Sequence, residues 1–347
     1  MRSVSTRIAP DRDRLAKFAK TLSQASSPVL ICGAAIARGN GWNEAVAFAE
    51  ALGAPVWAAP ASERTPFPEN RSPYCGGLPF ATRPKLKGHD VALVIGAPVF
   101  RYYPYVPGPY LPAGLRLPHI SDDPAETARA PVGDSLIGDA VLTLVGLTAL
   151  MADYKAKAAK PAAKVAHRMA PHPPSAEMRS SDGRLSAAQV FAALNEIRPT
   201  NAVLVEESPS NLSDLHKAWP TNEPDTFYTF ASGGLGWNLP ASVGVALAER
   251  DSGRNRPVIT VIGDGSFQYS VQSIWSAAQL HLPMLILVLR NEEYCILKSF
   301  ACLRKPLVFP ASIFPGSTSS RWPEAMGVMP RALKTLARSR RPPPKPG

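Results

Sequence analysis

The stretch ITVIGDGSFQYS, residues 259–270, runs four β-prone residues into a single acid held between two glycines. β-branched residues favour a strand, and Gly-Asp-Gly ends one. A tight turn with Asp264 capping the next helix is one reading of that ending. The other is a place where a bulky anion approaches the backbone with a cation between. Gly263 and Gly265 leave room for it, and the N–H groups of Gly265 and Ser266 at a helix start can face phosphate oxygens.

The residues downstream favour the second reading. Asn291 follows an apolar strand at 284–290, as Asp264 follows one at 258–262, and the two polar residues are 27 positions apart. A helix of about 13 residues between the strands spans about 20 Å, and a return strand of about seven residues covers about 23 Å. The right-handed crossover rule then brings both residues to one sheet edge, where open α/β folds bind ligands. A cation such as Mg²⁺ takes hard oxygen donors in near-octahedral array. The carboxylate of Asp264, the amide oxygen of Asn291 and the carbonyl of Glu293 form such a set.

Working outward, SPVLICG (27–33), APVWAAP (54–60) and DVALVIGAP (90–98) read as strands that are apolar throughout. They alternate with helices over WNEAVAFAEALG (42–53, closed by Gly53) and GDAVLTLVGLTALMADY (138–154). Continuous apolar strands between helices predict a parallel sheet covered on both faces. The alternation restarts with a helix at 186–197, N-capped by Ser186, and a strand at 201–207. A glycine turn entering a helix (233–249), the strand 257–265, a helical stretch from about 267 to 281 and the strand 283–291 follow. The expected fold class is α/β, with two doubly wound parallel-sheet domains, the second truncated.

The expected organisation is a first domain at 1–152, a Lys/Ala/Pro-rich linker at 153–185, a second domain at 186–300 and a basic tail at 301–347. His167 and His172 lie in the linker and read as solvated rather than metal-bound. Of the net charge of +11, the tail holds nine Lys/Arg against Glu324, a local +8. The remaining 300 residues carry only +3, so a nucleic-acid partner is not expected of the body. No run of 18 apolar residues occurs, and no membrane partner is expected. Cys32, Cys75, Cys295 and Cys302 are scattered without C-x-x-C spacing, which fits a reducing cytoplasm.

GDGSFQYSVQSIWSAAQLHLPMLILVLRNEEY resembles the diphosphate-and-magnesium motif of thiamine diphosphate enzymes. With ASGGLGWNLPASVGVALAE, LGAPVWAAPASERTPFP and GHDVALVIGAPVFRYYPYVPGPYLPAGLRL, the chain resembles the benzoylformate decarboxylase family over nearly all of residues 10–300. The resemblance implies thiamine diphosphate and Mg²⁺ as cofactors, with Asp264, Asn291 and the Glu293 carbonyl on the metal. It implies Ser210, Gly265, Ser266 and Tyr294 near the diphosphate, and the backbone around Gly233 at the aminopyrimidine. Leu235 would brace the bent cofactor, although simple packing explains a leucine equally well. The implied activity is decarboxylation of a small 2-oxo acid of the benzoylformate type, as in mandelate and other aromatic catabolism, by a homo-oligomer.

Departures from the family pattern matter. Tyr103 stands at a substrate-site position where the family has a histidine, and a phenol with pKa near 10 cannot relay protons as an imidazole does. Pro209 removes an N–H donor from its loop. The family also carries a domain whose glutamate activates the cofactor ring, so turnover by this chain alone is not expected. The likeness stops after NEEYCILKSFA, and a shifted reading frame is the expected origin of the tail. An acetolactate synthase or oxalyl-CoA decarboxylase type of thiamine diphosphate enzyme is the nearest alternative. A non-catalytic nucleotide-binding module is another, weakened because GAAIARGNG (33–41) lacks the G-x-G-x-x-G pattern.

Overall fold

A computed structural model of the chain describes residues 5–100, 108–109, 111–157 and 185–293. These fall into two compact units. One holds the described residues up to 157 together with Pro220–Gly233; the other holds those from 185 to Trp219 and from Gly234 onward. The tail, most of the linker, Tyr103 and Tyr294 lie outside the described residues.

In chain order the first unit contains α1 (Arg12–Ser23), β1 (Pro28–Cys32), α2 (Ala34–Arg38), α3 (Trp42–Leu52), β2 (Val56–Ala58), β3 (Tyr74–Gly77) and α4 (Arg83–Leu86). It continues with β4 (Val91–Ile95), β5 (Pro118–Ser121), α5 (Pro124–Arg129), β6 (Asp134–Ile137) and α6 (Ala140–Lys157). The strands pair in parallel in the order β3-β2-β1-β4-β5-β6, which is the doubly wound order. The apolar strands are divided face by face. Leu30 and Cys32 of β1, with Val91, Leu93 and Ile95 of β4, pack under α1, α3 and α6. Val29 and Ile31, with Ala92 and Val94, pack with Trp57 and Leu86 on the other side. Period-two side chains buried on both faces are what a covered parallel sheet requires. Helix α3 ends as expected at Gly53, in left-handed conformation with φ 69°.

The second unit begins with α7 (Ala187–Ile197). Ser186 caps it reciprocally: its hydroxyl accepts from the Gln189 N–H at 3.3 Å, and the Gln189 side chain accepts from the Ser186 N–H at 2.9 Å. Then come β7 (Val203–Glu207), a 3₁₀ turn at Pro209–Asn211 and α8 (Leu212–Ala218). The segment that belongs to the first unit carries β8 (Phe227–Thr229), where Tyr228 bridges Arg64 antiparallel. The second unit resumes with α9 (Asn238–Asp251), β9 (Val258–Gly263), α10 (Asp264–Tyr269), α11 (Ser273–Gln279) and β10 (Met284–Leu289). Strands β10, β9 and β7 pair in parallel in that order, with Leu289 opposite Gly263 and Glu207 opposite Ile262. All three therefore finish at one edge.

One expectation needs correction. The single helix expected from about 267 to 281 is two short helices, because Ser270 leaves the helical region at φ −143° and ψ 30°. The break lets Phe267, Val271 and Ile274 reach one apolar cluster with Leu239 and Ile262. β10 is the outermost described strand of its sheet, and Leu285 remains 49% exposed. Among the described residues no helix is long and apolar enough to cross a membrane.

The end of α9 is tied to the start of β9 by Glu249, whose side chain is 4% exposed. Its carboxylate accepts from Arg254 at 2.8 Å and from Arg256 at 2.7 Å. Bonds from Arg256, then from Arg254, hold its pKa at about 2 against their opposing desolvation. Glu249→Gln is expected to lower unfolding stability of the second unit by about 1–3 kcal/mol at pH 7. A folded-state pKa depressed to about 2 means that this contribution is complete above about pH 4.5 and is lost as pH falls toward 2. Denaturant titrations of both proteins should therefore converge on acidification. A constant difference down to pH 2 contradicts the assignment.

Candidate functional site

The three strand ends carry the chemistry. β9 stops at Gly263 in extended conformation, φ −71° and ψ 151°, and Asp264 opens α10 with only 2% of its surface exposed. One carboxylate oxygen of Asp264 accepts the Gly265 N–H at 2.9 Å, and the other accepts the Glu292 N–H at 2.8 Å. Asn291 turns its side-chain oxygen back to accept the Glu293 N–H at 3.0 Å. Glu292 has φ 59°, an uncommon left-handed value for a side-chain-bearing residue. Asp264 and the 291–293 corner, remote in sequence, are thus joined directly.

The Gly265 N–H, a candidate phosphate donor in the sequence, is already engaged by Asp264. Space remains in front of Gly263. A Cβ built there meets only the Glu207 carbonyl and the Ser266 hydroxyl, both at 4.0 Å. Ser266 is buried, while Asn291 is exposed and Glu293 half-buried.

Glu207, at the end of β7, had no role in the sequence reading. It is fully buried, accepting the Gly236 N–H at 2.7 Å and the Asn238 N–H at 2.7 Å. The Ser266 hydroxyl also favours its charged form. Burial pushes its pKa up and the neighbouring Glu206 charge adds to that, while the two backbone bonds and the Ser266 hydroxyl oppose the rise. The signal available in sequence was slight: an apolar strand closing on two acids, Glu206 and Glu207, at the ligand edge of its sheet.

Leu235 is half-buried in the loop that Glu207 holds, one residue before Gly236. Gly233 is exposed at φ 75°, with the Phe230 ring 3.9 Å from where a Cβ would lie. Ser210 is exposed on the 3₁₀ turn after β7, three residues beyond Glu207. Bonding unites Asp264 and Gly265 with the 291–293 corner, and Glu207 with the loop beside Leu235. It does not tie in Ser210.

The donor set suits a hard cation. Among the described residues no trio of His, Cys, Asp and Glu gathers as a metal site. Ligation at this edge would therefore use one carboxylate, one amide oxygen and one carbonyl, with the balance from phosphate and water, a pattern typical of Mg²⁺. Each Asp264 oxygen has a lone pair beyond the N–H it accepts, as does Asn291 Oδ1. Asn238 is fully buried and neither polar atom of its side chain has a partner among the described residues, which marks unmet bonding capacity next to this loop. The first unit offers less. A cavity of about 130 Å³ at its sheet edge, lined by Arg38, Glu63 and Ala97, is below the roughly 300 Å³ of small-ligand pockets. Its Arg38 is already paired with Glu63.

A parallel α/β unit with acid and amide converging at its strand ends is the architecture of a nucleotide- or diphosphate-binding protein. The chain belongs to the thiamine pyrophosphate enzymes: the central-domain family matches residues 15–147, and the C-terminal thiamine pyrophosphate-binding domain matches 210–304. It is similar to benzoylformate decarboxylase of Pseudomonas aeruginosa, 38% identical over 318 residues, covering 91% of this chain and 58% of that protein. It also matches the solved structure of benzoylformate decarboxylase from Polynucleobacter necessarius, with TM-score 0.90, 44% identity, and coverage of 97% of this chain and 62% of that one. For the thiamine diphosphate-dependent 4-hydroxybenzoylformate decarboxylase of Rhodococcus jostii the values are 0.85, 36%, 96% and 61%. The chain thus spans about three fifths of the length of these relatives.

The site loop makes one backbone demand that can be measured. Gly236 has φ 94°, and a Cβ there would lie 2.6 Å from the Tyr269 Cβ. Gly236→Ala is expected to cost about 1–3 kcal/mol through strain and displacement of α10. Gly244, inside α9 with nothing within 4 Å of a Cβ, provides the contrast. Gly244→Ala should gain about 0.5–1 kcal/mol from helix propensity. Equal effects in equilibrium unfolding contradict the loop conformation.

Proposed function

We propose that the second unit binds thiamine diphosphate through Mg²⁺, and that the whole protein decarboxylates a 2-oxo acid with an aromatic group, of the benzoylformate type. The observation that carries this reading is the 2.8 Å bond from the Glu292 N–H to Asp264, which draws two strand ends into one oxygen-rich corner. In this reading Asp264, Asn291 and the Glu293 carbonyl ligate the cation. Gly265, Ser266, Ser210 and Tyr294 surround the diphosphate, the backbone at Gly233 meets the aminopyrimidine, and Leu235 braces the ring system.

When bound, thiamine diphosphate supplies an electron sink for the release of CO₂ from a 2-oxo acid. The chain's own part is to bind, orient and exclude water. Asp264 offers a buried charge with its geometry fixed by two backbone donors, so little reorganisation accompanies cation binding. Leu239, Ile262 and Phe267 form a dry apolar layer behind that corner. In this reading Tyr103 is assigned to the substrate side by the family resemblance alone, and a phenol there bears on substrate choice or on protonation. A cytoplasmic homo-oligomer fits the same reading, with neither membrane nor nucleic acid as partner.

A thermal-shift series tests it. Thiamine diphosphate with Mg²⁺, at a hundredfold excess over Kd, should stabilise the folded chain by about 2.7 kcal/mol. Either component alone, or NAD, should leave the midpoint near its starting value. Asp264→Ala or Asn291→Ala should abolish the shift without preventing folding. Stabilisation by NAD, or by thiamine diphosphate regardless of Mg²⁺ and Asp264, overturns the proposal.

A further inference from the structure

The bonds at Glu207 join elements that would otherwise be independent. Its carboxylate holds Gly236 and Asn238, the exit of one loop, at 2.7 Å each. The hydroxyl of Ser266, two residues beyond Asp264, also favours its charged form. Register places Glu207 opposite Ile262, so it stands beside the last turn of β9 rather than across a gap. We propose that Glu207 is a positioning residue: it locks the Leu235-bearing loop to the corner built on Asp264, so that the two sides of the cofactor cradle form one rigid piece. The inference rests on the reading of this unit as a thiamine diphosphate site.

The chemistry fits an anion at this position. α9 begins with Asn238, and the first N–H groups of a helix lack partners within it. A carboxylate there satisfies two of the loop's donors and lies at the positive end of a 14-residue helix. Gly236 is held by Glu207 on one side and pressed on Tyr269 on the other, leaving the loop a single course. A neutral amide of the same shape cannot replace the carboxylate. One of its two ends is a donor, and it would face a donor. An aspartate has the charge but is shorter by one methylene, so it cannot reach Gly236 and Asn238 from the same strand end.

Hydrogen exchange and calorimetry on the full chain separate the possibilities. In the unaltered protein the Gly236 and Asn238 amides should exchange at least tenfold more slowly than that of Leu235, which precedes them in the loop. In Glu207→Gln both should exchange at least tenfold faster while the amide of Val261 in β9 is unchanged. Titration with thiamine diphosphate and Mg²⁺ should show Kd raised about tenfold or more, with no shift in the ligand-free melting midpoint beyond a few degrees. A variant that loosens the loop but keeps its Kd overturns the positioning role, as do amides that exchange at their original rates. If Gln prevents folding, the exchange contrast in the unaltered chain decides, and its absence overturns the proposal. Should the unaltered chain bind no thiamine diphosphate at all, the cofactor reading itself fails and takes this role with it.

Discussion

The second unit depends on a buried carboxylate that has two backbone donors and, among the described residues, no cationic side chain bonded to it. Asp264 sits where a strand becomes a helix, and it accepts N–H groups from its own turn and from the corner after β10. A charge so placed is costly unless its bonds are made. The two donors fix its direction, and each oxygen keeps a lone pair for a further ligand. A cation that brings its own charge and a phosphate would complete the arrangement.

Around that charge the unit is organised by parallel registry. β7, β9 and β10 end within one residue of each other, so residues scattered over 86 positions, from Glu207 to Glu293, share one edge. The glutamate of β7 organises the loop before α9, and the aspartate of β9 organises the corner after β10. Ser266 relates the two halves: it follows Asp264 in α10, and its hydroxyl favours the charged form of Glu207. The same logic of order and edge recurs in the first unit, but there the edge holds an ion pair rather than a converging set of oxygen donors.

Much of this was legible in the chain because its signals are local. Strands buried on both faces announce themselves as unbroken apolar runs, and PVLIC and VALVI appear as such. Ser186 signals an N-cap, and Gly53 a helix end. The short strands β3, β5 and β6 were not read, since YCGG, PHIS and DSLI carry little apolar periodicity and exist through pairing with longer neighbours. The break at Ser270 was hidden because a single residue leaving helical φ/ψ has no composition signature. At the site, the approach of Asp264 to the corner after β10 could be expected from spacing and strand rules. Glu207 could not: its partners are backbone amides 29 and 31 positions away, and no side-chain pattern records them.

The account stands on one corner receiving one divalent ion. Substituting Mn²⁺ for Mg²⁺ in the presence of thiamine diphosphate converts that claim into a distance measurement, because the paramagnetic ion broadens nearby amide resonances. The account predicts that the amides of Gly265 and Glu292 broaden together and that Asp264→Ala removes both effects. Broadening of only one of them, or of neither while the cofactor is bound, would contradict it.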